Sequence, residues 1–211
     1  MTNLKETNSN REQNQSTMMY IHGFLSGANG SKREQLQKYF EGRYRVIAPE
    51  VDADPEISLA KINEIIALEK PRIIIGTSLG GWMALMCDSG EADLFVVNPC
   101  VDPKQTLSQW KGELLSYFCQ RLDGVQSYML TQDVLDKYDQ YDLTKVISDK
   151  YIYVNALCSI NDELLQDTHI RMLRSLLPAE RLVVVGDFGH RCSGMGMKHL
   201  YKIIESSVFS R

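Results

Sequence analysis

From Met18 onward the chain alternates short apolar runs with longer stretches in which apolar positions recur every three or four residues. A parallel sheet covered by helices requires this alternation. Six runs are predicted strands: residues 18–22, 44–48, 72–76, 94–98, 151–157 and 181–185. They are almost continuously apolar instead of alternating, as strands buried on both faces must be. Between the first two, Ser31 and Glu34 have the spacing of a capping box, and Leu36, Tyr39 and Phe40 continue at helical intervals. After the second, Asp54 and Pro55 suit the N-cap and first turn of a helix whose apolar stripe is Ile62, Ile65 and Ile66.

Residues 101–150 separate the fourth and fifth predicted strands, far more than the few residues usual for such a connection. Leu107, Trp110, Leu114, Leu115, Tyr117 and Phe118 have helical spacing, and residues 131–141 predict a further helix. With no internal repeat and no low-complexity linker, this span is expected to be a helical, cap-like insertion into one domain covering 18–211. The expected fold is therefore α/β: a reduced, six-stranded, mostly parallel sheet with helices on both faces and a helical insertion after the fourth strand. Residues 1–17 are polar and rich in Asn and Gln, without the apolar segment of a signal peptide, and are expected to be a disordered tail. No apolar run reaches the roughly 18 residues of a membrane-spanning helix.

Composition narrows the partners. The 211 residues carry a net charge of −4 and no basic run, which argues against nucleic acid and anionic membranes as partners and in favour of a small molecule. Five cysteines, an odd number without a CxxC pair, read as small buried side chains in a reducing, cytoplasmic setting.

The sharpest chemical feature is Gly76-Thr77-Ser78-Leu79-Gly80, lying between an apolar strand and a helical run. A serine on so tight a turn is lifted clear of the sheet, and glycine at the two flanking positions removes the collision that side chains would cause there. Such a nucleophile elbow needs a base, and His190, after the last predicted strand, lies at the same sheet edge. His169 and His199 fall in helical stretches and are expected at the surface; His22 is expected to brace its own loop. The base in turn needs an acid. Asp162, just after the fifth predicted strand, is the leading candidate, with Asp102 after the fourth as a rival and Asp187 expected to cap its own turn. The N–H groups of Leu79 and Phe24 are expected to form an oxyanion hole. Trp110, Phe118 and Tyr128 are candidates for the wall of a substrate pocket, and equally for a small core within the insertion.

The segments YIHGFLSGANGSK, GTSLGGWMAL, VVNPCVDP, NDELL and GDFGH occur in that order between Met18 and about Val208. In these the chain resembles the YqiA/YcfP-like small serine esterases of the α/β-hydrolase superfamily. It departs from them in having Cys158, Ser159, Ile160 and Asn161 before the acid, where relatives tend to carry a glycine beside it. The resemblance implies a hydrolase of carboxylic esters or acyl thioesters, with Ser78, Asp162 and His190 as a triad and no metal or organic cofactor. Two other readings use the same residues differently: a lyase or pathway-specific thioesterase built on the triad, and a non-enzymatic binding protein that kept the fold.

Overall fold

In the computed structural model the described residues are 15–208. They form eight strands, β1 (Ser16–Ile21), β2 (Tyr44–Ile47), β3 (Ile73–Thr77), β4 (Asp93–Val97), β5 (Leu114–Ser116), β6 (Ser127–Met129), β7 (Val154–Ser159) and β8 (Leu182–Val185). The helices are α1 (Ser31–Tyr39), α2 (Pro55–Glu69), α3 (Leu79–Met86), α4 (Pro103–Leu107), α5 (Gln132–Lys137), α6 (Leu143–Lys150), α7 (Thr168–Leu176) and α8 (Met195–Val208).

Six strands make one sheet in the order β2-β1-β3-β4-β7-β8, and every pairing in it is parallel. Alternate residues of each strand feed two separate cores. Met19, Ile21, Ile74, Leu94 and Val96 face Leu59, Ile62, Met83 and Leu85 on one side. Met18, Tyr20, Ile73, Ile75, Phe95 and Val97 face Leu36, Phe40, Leu200 and Ile204 on the other. The predicted double-sided burial is therefore what the continuous apolar runs encode. From β1 the chain crosses to β2 on one side, whereas β3 leads to β4 on the other, so the strand order reverses between the neighbours β1 and β3. A crevice opens at the carboxyl ends of strands flanking such a reversal. His22 to Phe24 follow β1 there, and Ser78 follows β3.

Several local expectations need correction. β1 starts at Ser16, so the expected tail loses Ser16 and Thr17 to the sheet; of the remainder, residues 1–14 lie outside the described residues. Gly30, not Ser31, is the N-cap of α1, and no side chain caps that end. Asp54 caps α2 as expected, accepting from the N–H groups of Glu56 and Ile57. The largest departure is in the insertion. In place of a helix through Phe118, α4 ends at Leu107, a 3₁₀ turn covers Ser108–Trp110, and β5 pairs antiparallel with β6 as a small hairpin. The predicted helix over 131–141 is present as α5 with a following 3₁₀ turn, capped by the Thr131 side chain. Among the described residues no helix is long and apolar enough to cross a membrane.

Candidate active site

Ser78 sits between β3 and α3 with φ 54° and ψ −121°, a conformation that L-residues hold only under constraint. The constraint is the packing of backbone on backbone. A Cβ on Gly76 would lie 2.2 Å from the Gly80 carbonyl oxygen, and one on Gly80 would lie 2.3 Å from the carbonyl oxygens of Ile21 and His22. Only glycine fits at either position. The elbow is thereby pressed against the end of β1, where a Cβ on Gly23 would stand 3.2 Å from the Cβ of Ser78.

The structure brings together Ser78, His190 and Asp162 from the ends of three different strands. His190 Nε2 lies 2.9 Å from Ser78 Oγ, and His190 Nδ1 lies 2.8 Å from Asp162 Oδ2. Asp162 is 3% exposed, and its other oxygen accepts from the N–H groups of Leu164 and Leu165 at 2.9 and 2.7 Å. Burial pushes this carboxyl up, but the hydrogen bond and charge of His190 and the two N–H donors outweigh it and hold it below its ordinary range. An ionised Asp162 only accepts, so the ring must donate from Nδ1, which leaves the Nε2 lone pair facing the serine hydroxyl.

Two residues that sequence reasoning passed over fix the histidine loop. Asn98, fully buried with φ 42° at the end of β4, donates from Nδ2 to the carbonyls of Gly189 (3.3 Å) and His190 (3.2 Å), while its Oδ1 accepts from Ser159 N–H at 2.8 Å. Glu163 Oε2 accepts from the His190 N–H at 2.9 Å. An asparagine ending an apolar run, a residue type that tolerates positive φ, is the sequence signal for the first. The rival acids are engaged elsewhere: Asp102 caps α4 through Gln105 N–H (2.9 Å), and Asp187 holds His199 Nε2 (2.8 Å) instead of capping its own turn.

Leu79 is the first residue of α3, where helical N–H groups have no intrahelical acceptor. Among the described residues neither its N–H nor that of Phe24 has a hydrogen-bond acceptor. Both residues border a cavity of about 10 Å³, room for about one water molecule. Met83, Tyr117 and Tyr128 are among its other lining residues. Of the three aromatics expected at a substrate pocket, Tyr128 lines this space. Trp110 instead packs on Phe24, ring centroids 5.6 Å apart. Phe118 is 70% exposed, with the Arg191 guanidinium 5.4 Å over its ring. Tyr117 was assigned to the mispredicted helix and so was missed; its hydroxyl binds Asp52 across the cavity wall.

Of the remaining histidines and thiols, Cys119 is only partly buried where burial was expected, and the two ring nitrogens of buried His169 have no hydrogen-bond partner among the described residues. His22 is 1% exposed, and its Nδ1 lies 2.9 Å from the Gly23 carbonyl, bracing the loop as expected. His169, expected at the surface, is fully buried, because it falls on the same helical face as Ile170 and Leu173; burial lowers its pKa and keeps it neutral. Cys87, Cys100, Cys158 and Cys192 are buried, and burial pushes the Cys192 thiol up to about 12, too high to act as a nucleophile near neutral pH. Among the described residues no group of three or more His, Cys, Asp or Glu is placed to hold a metal ion.

A family model described as "Uncharacterised protein family (UPF0227)" matches residues 17–206. Among solved structures the chain is similar to Est1E from Butyrivibrio proteoclasticus, at 15% identity and a TM-score of 0.67 over 92% of this chain and 87% of that one. It is also similar to alpha/beta hydrolase domain-containing protein 10 from mouse, at 14% identity and a TM-score of 0.64 over 92% and 89% of the two chains. A third is the monoacylglycerol lipase of Paleococcus ferrophilus, at 14% identity and a TM-score of 0.62 over 90% and 92%. At such identities the likeness is one of architecture: the sheet and its helices form an α/β-hydrolase fold.

Proposed function

The chain belongs to the UPF0227 family, and we propose that it is a serine hydrolase that cleaves small carboxylic esters or acyl thioesters through an acyl-enzyme on Ser78. The observation that carries this reading is the unbroken line from Ser78 Oγ through His190 to buried Asp162, at 2.9 and 2.8 Å, next to two unpaired backbone N–H groups. The likeness to a monoacylglycerol lipase of the same fold agrees with it.

Ser78 Oγ attacks the substrate carbonyl carbon as its proton passes to His190 Nε2. The carbonyl π pair moves onto oxygen, and the resulting oxyanion accepts from the N–H groups of Leu79 and Phe24. Asp162 stabilises the imidazolium without taking its proton. When the tetrahedral intermediate collapses, the bond to the leaving alkoxide or thiolate breaks and His190 returns the proton to it. Water then attacks the acyl-enzyme, losing its proton to His190, and release of the acid restores Ser78. A cavity of about one water volume beside the two N–H groups favours short acyl chains.

The test is an ester and thioester panel together with a fluorophosphonate probe. Wild-type protein is expected to become labelled on Ser78, and Ser78→Ala to lose at least about 10³-fold in kcat on the best short ester. Retention of most hydrolysis by Ser78→Ala removes the nucleophile assignment, and a best substrate with a long acyl chain removes the short-chain preference.

A further inference from the structure

The loop joining β5 to β6 carries a guanidinium where an exposed loop would be expected to show a solvated one. The Arg121 side chain is 1% exposed. It forks onto Asp123, Nε to Oδ1 at 3.0 Å and Nη2 to Oδ2 at 2.6 Å, and its Nη1 donates to the Val51 carbonyl at 3.0 Å. Nη1 also lies 3.2 Å from Asp52 and 3.7 Å from Glu50, and the guanidinium covers the Tyr117 ring at 4.3 Å. Glu50 is itself buried, and it reaches both ways: Oε1 accepts from Leu122 N–H at 2.8 Å, Oε2 from Ala28 N–H at 3.0 Å, with His22 Nε2 at 3.4 Å. A backbone bond, Phe118 N–H to the Leu25 carbonyl at 2.8 Å, runs alongside.

Three segments distant in sequence therefore meet on the Arg121–Glu50 pair: the loop after β1 that carries Phe24, through Glu50, the loop after β2, and the hairpin. The end of β1 is the only one of the three bearing a candidate oxyanion donor from outside the elbow, and the elbow fixes Leu79 independently through Gly76 and Gly80. We propose that Arg121 is a positioning residue for catalysis, locking the hairpin onto the Glu50–Asp52 segment and through Glu50 and His22 setting where the Phe24 N–H points. This rests on the serine-hydrolase reading above. It also makes the hairpin a fixed wall of the site, because moving it would separate a buried cation from the two carboxylates of the neighbouring loop, Glu50 and Asp52.

The fork geometry is the part that lysine cannot reproduce, while its charge still neutralises the carboxylates. Arg121→Lys is therefore the variant of choice, with Asp123→Asn as a milder companion that removes one arm of the fork. Each is compared with wild type on a short oxyester and on its thionoester, whose bulkier, weakly accepting sulfur cannot use the oxyanion hole. Misplacing one donor should lower kcat for the oxyester by at least about tenfold, with KM held within about threefold. The oxyester-to-thionoester rate ratio should fall by the same factor. A variant that is merely less well folded loses active protein for both substrates equally and leaves that ratio unmoved. Leu122→Ala, which trims an exposed side chain of the same loop and spares its backbone N–H, should behave as wild type. An unchanged ratio in both Arg121→Lys and Asp123→Asn, with an active wild type, overturns the role of Arg121 alone. A wild type that neither hydrolyses the oxyester nor reacts with a fluorophosphonate overturns the hydrolase reading and this inference together.

Discussion

Glu50 is the carboxylate on which the packing around the site leans most heavily, and replacing it by glutamine has a pH signature that can be worked from the structure. The side chain is buried, which by itself pushes its carboxyl up. Against this the His22 contact, the N–H groups of Leu122 and Ala28, and the Arg121 charge together hold it down at about 2, from an ordinary 4.5. A carboxyl depressed on folding contributes stability that is fully present above its unfolded value and is lost as pH falls toward its folded value. At about 1.36 kcal/mol per pH unit, the contribution is about 3 kcal/mol near pH 7 and shrinks to about 1 kcal/mol near pH 3. Glu50→Gln removes it while keeping the volume, so wild type and variant should differ by about 3 kcal/mol at neutral pH and converge by about 2 kcal/mol on acidification. Contributions of the amide that do not titrate shift both values together. Urea denaturation followed by tryptophan fluorescence, with Trp82 almost fully buried as reporter, reads this directly, and urea avoids the screening that guanidinium salt would add. A wild-type-to-variant gap that stays constant between about pH 3 and pH 7 would refute the reasoning, because the carboxylate would then not be specially stabilised by its cage.

Asp162→Asn should lower kcat on a short ester by about 10⁴-fold, with little change in the far-ultraviolet circular dichroism. The Leu164 and Leu165 N–H groups would capture the amide oxygen, which turns the amide NH₂ toward His190 Nδ1 and forces the proton onto Nε2, where it opposes Ser78; a loss below about tenfold speaks for another acid. Gly76→Ala places a methyl 2.2 Å from the Gly80 carbonyl oxygen, an obstacle that no side-chain rotation relieves. It should cost about 3 kcal/mol or more in chemical denaturation, at the top of the range for overpacking, and a cost below about 1 kcal/mol would show that the elbow is not under this constraint.

How far the molecule can be read from its sequence depends on whether the deciding physics is local. The inner sheet strands were legible because burial on both faces leaves little room for polar positions, a condition written in consecutive residues such as Ile73 to Ile75, whereas the edge strands β2 and β8 are only partly buried. The elbow was legible partly for the same reason: the collision that forbids a side chain at Gly76 arises within a short turn, from the Gly80 carbonyl, whereas the one at Gly80 comes from the end of β1. Asp162 and His190 could be placed at the serine's edge once strand order was assumed, although Asp102 was eliminated only when its carboxylate was seen capping α4. The hairpin is the opposite case. Leu114, Leu115, Tyr117 and Phe118 satisfy helical spacing, yet what decides their conformation is an acceptor at Leu25, a carboxylate at Asp52 and the Arg121 anchor at Val51, all far away in sequence. His169 misled in the same way, since only the packing of α7 decides which of its faces is inside. The Ser78 turn is thus shaped in part by short-range sterics, whereas His190 is held by partners as distant as Asn98. The walls that choose a substrate are held by contacts spanning 65 to 72 positions, as in Tyr117 to Asp52 and Leu122 to Glu50. Substitution of Tyr117 or Asp52, which line the cavity, should therefore change which acyl group is accepted while leaving the geometry of Ser78, His190 and Asp162 intact.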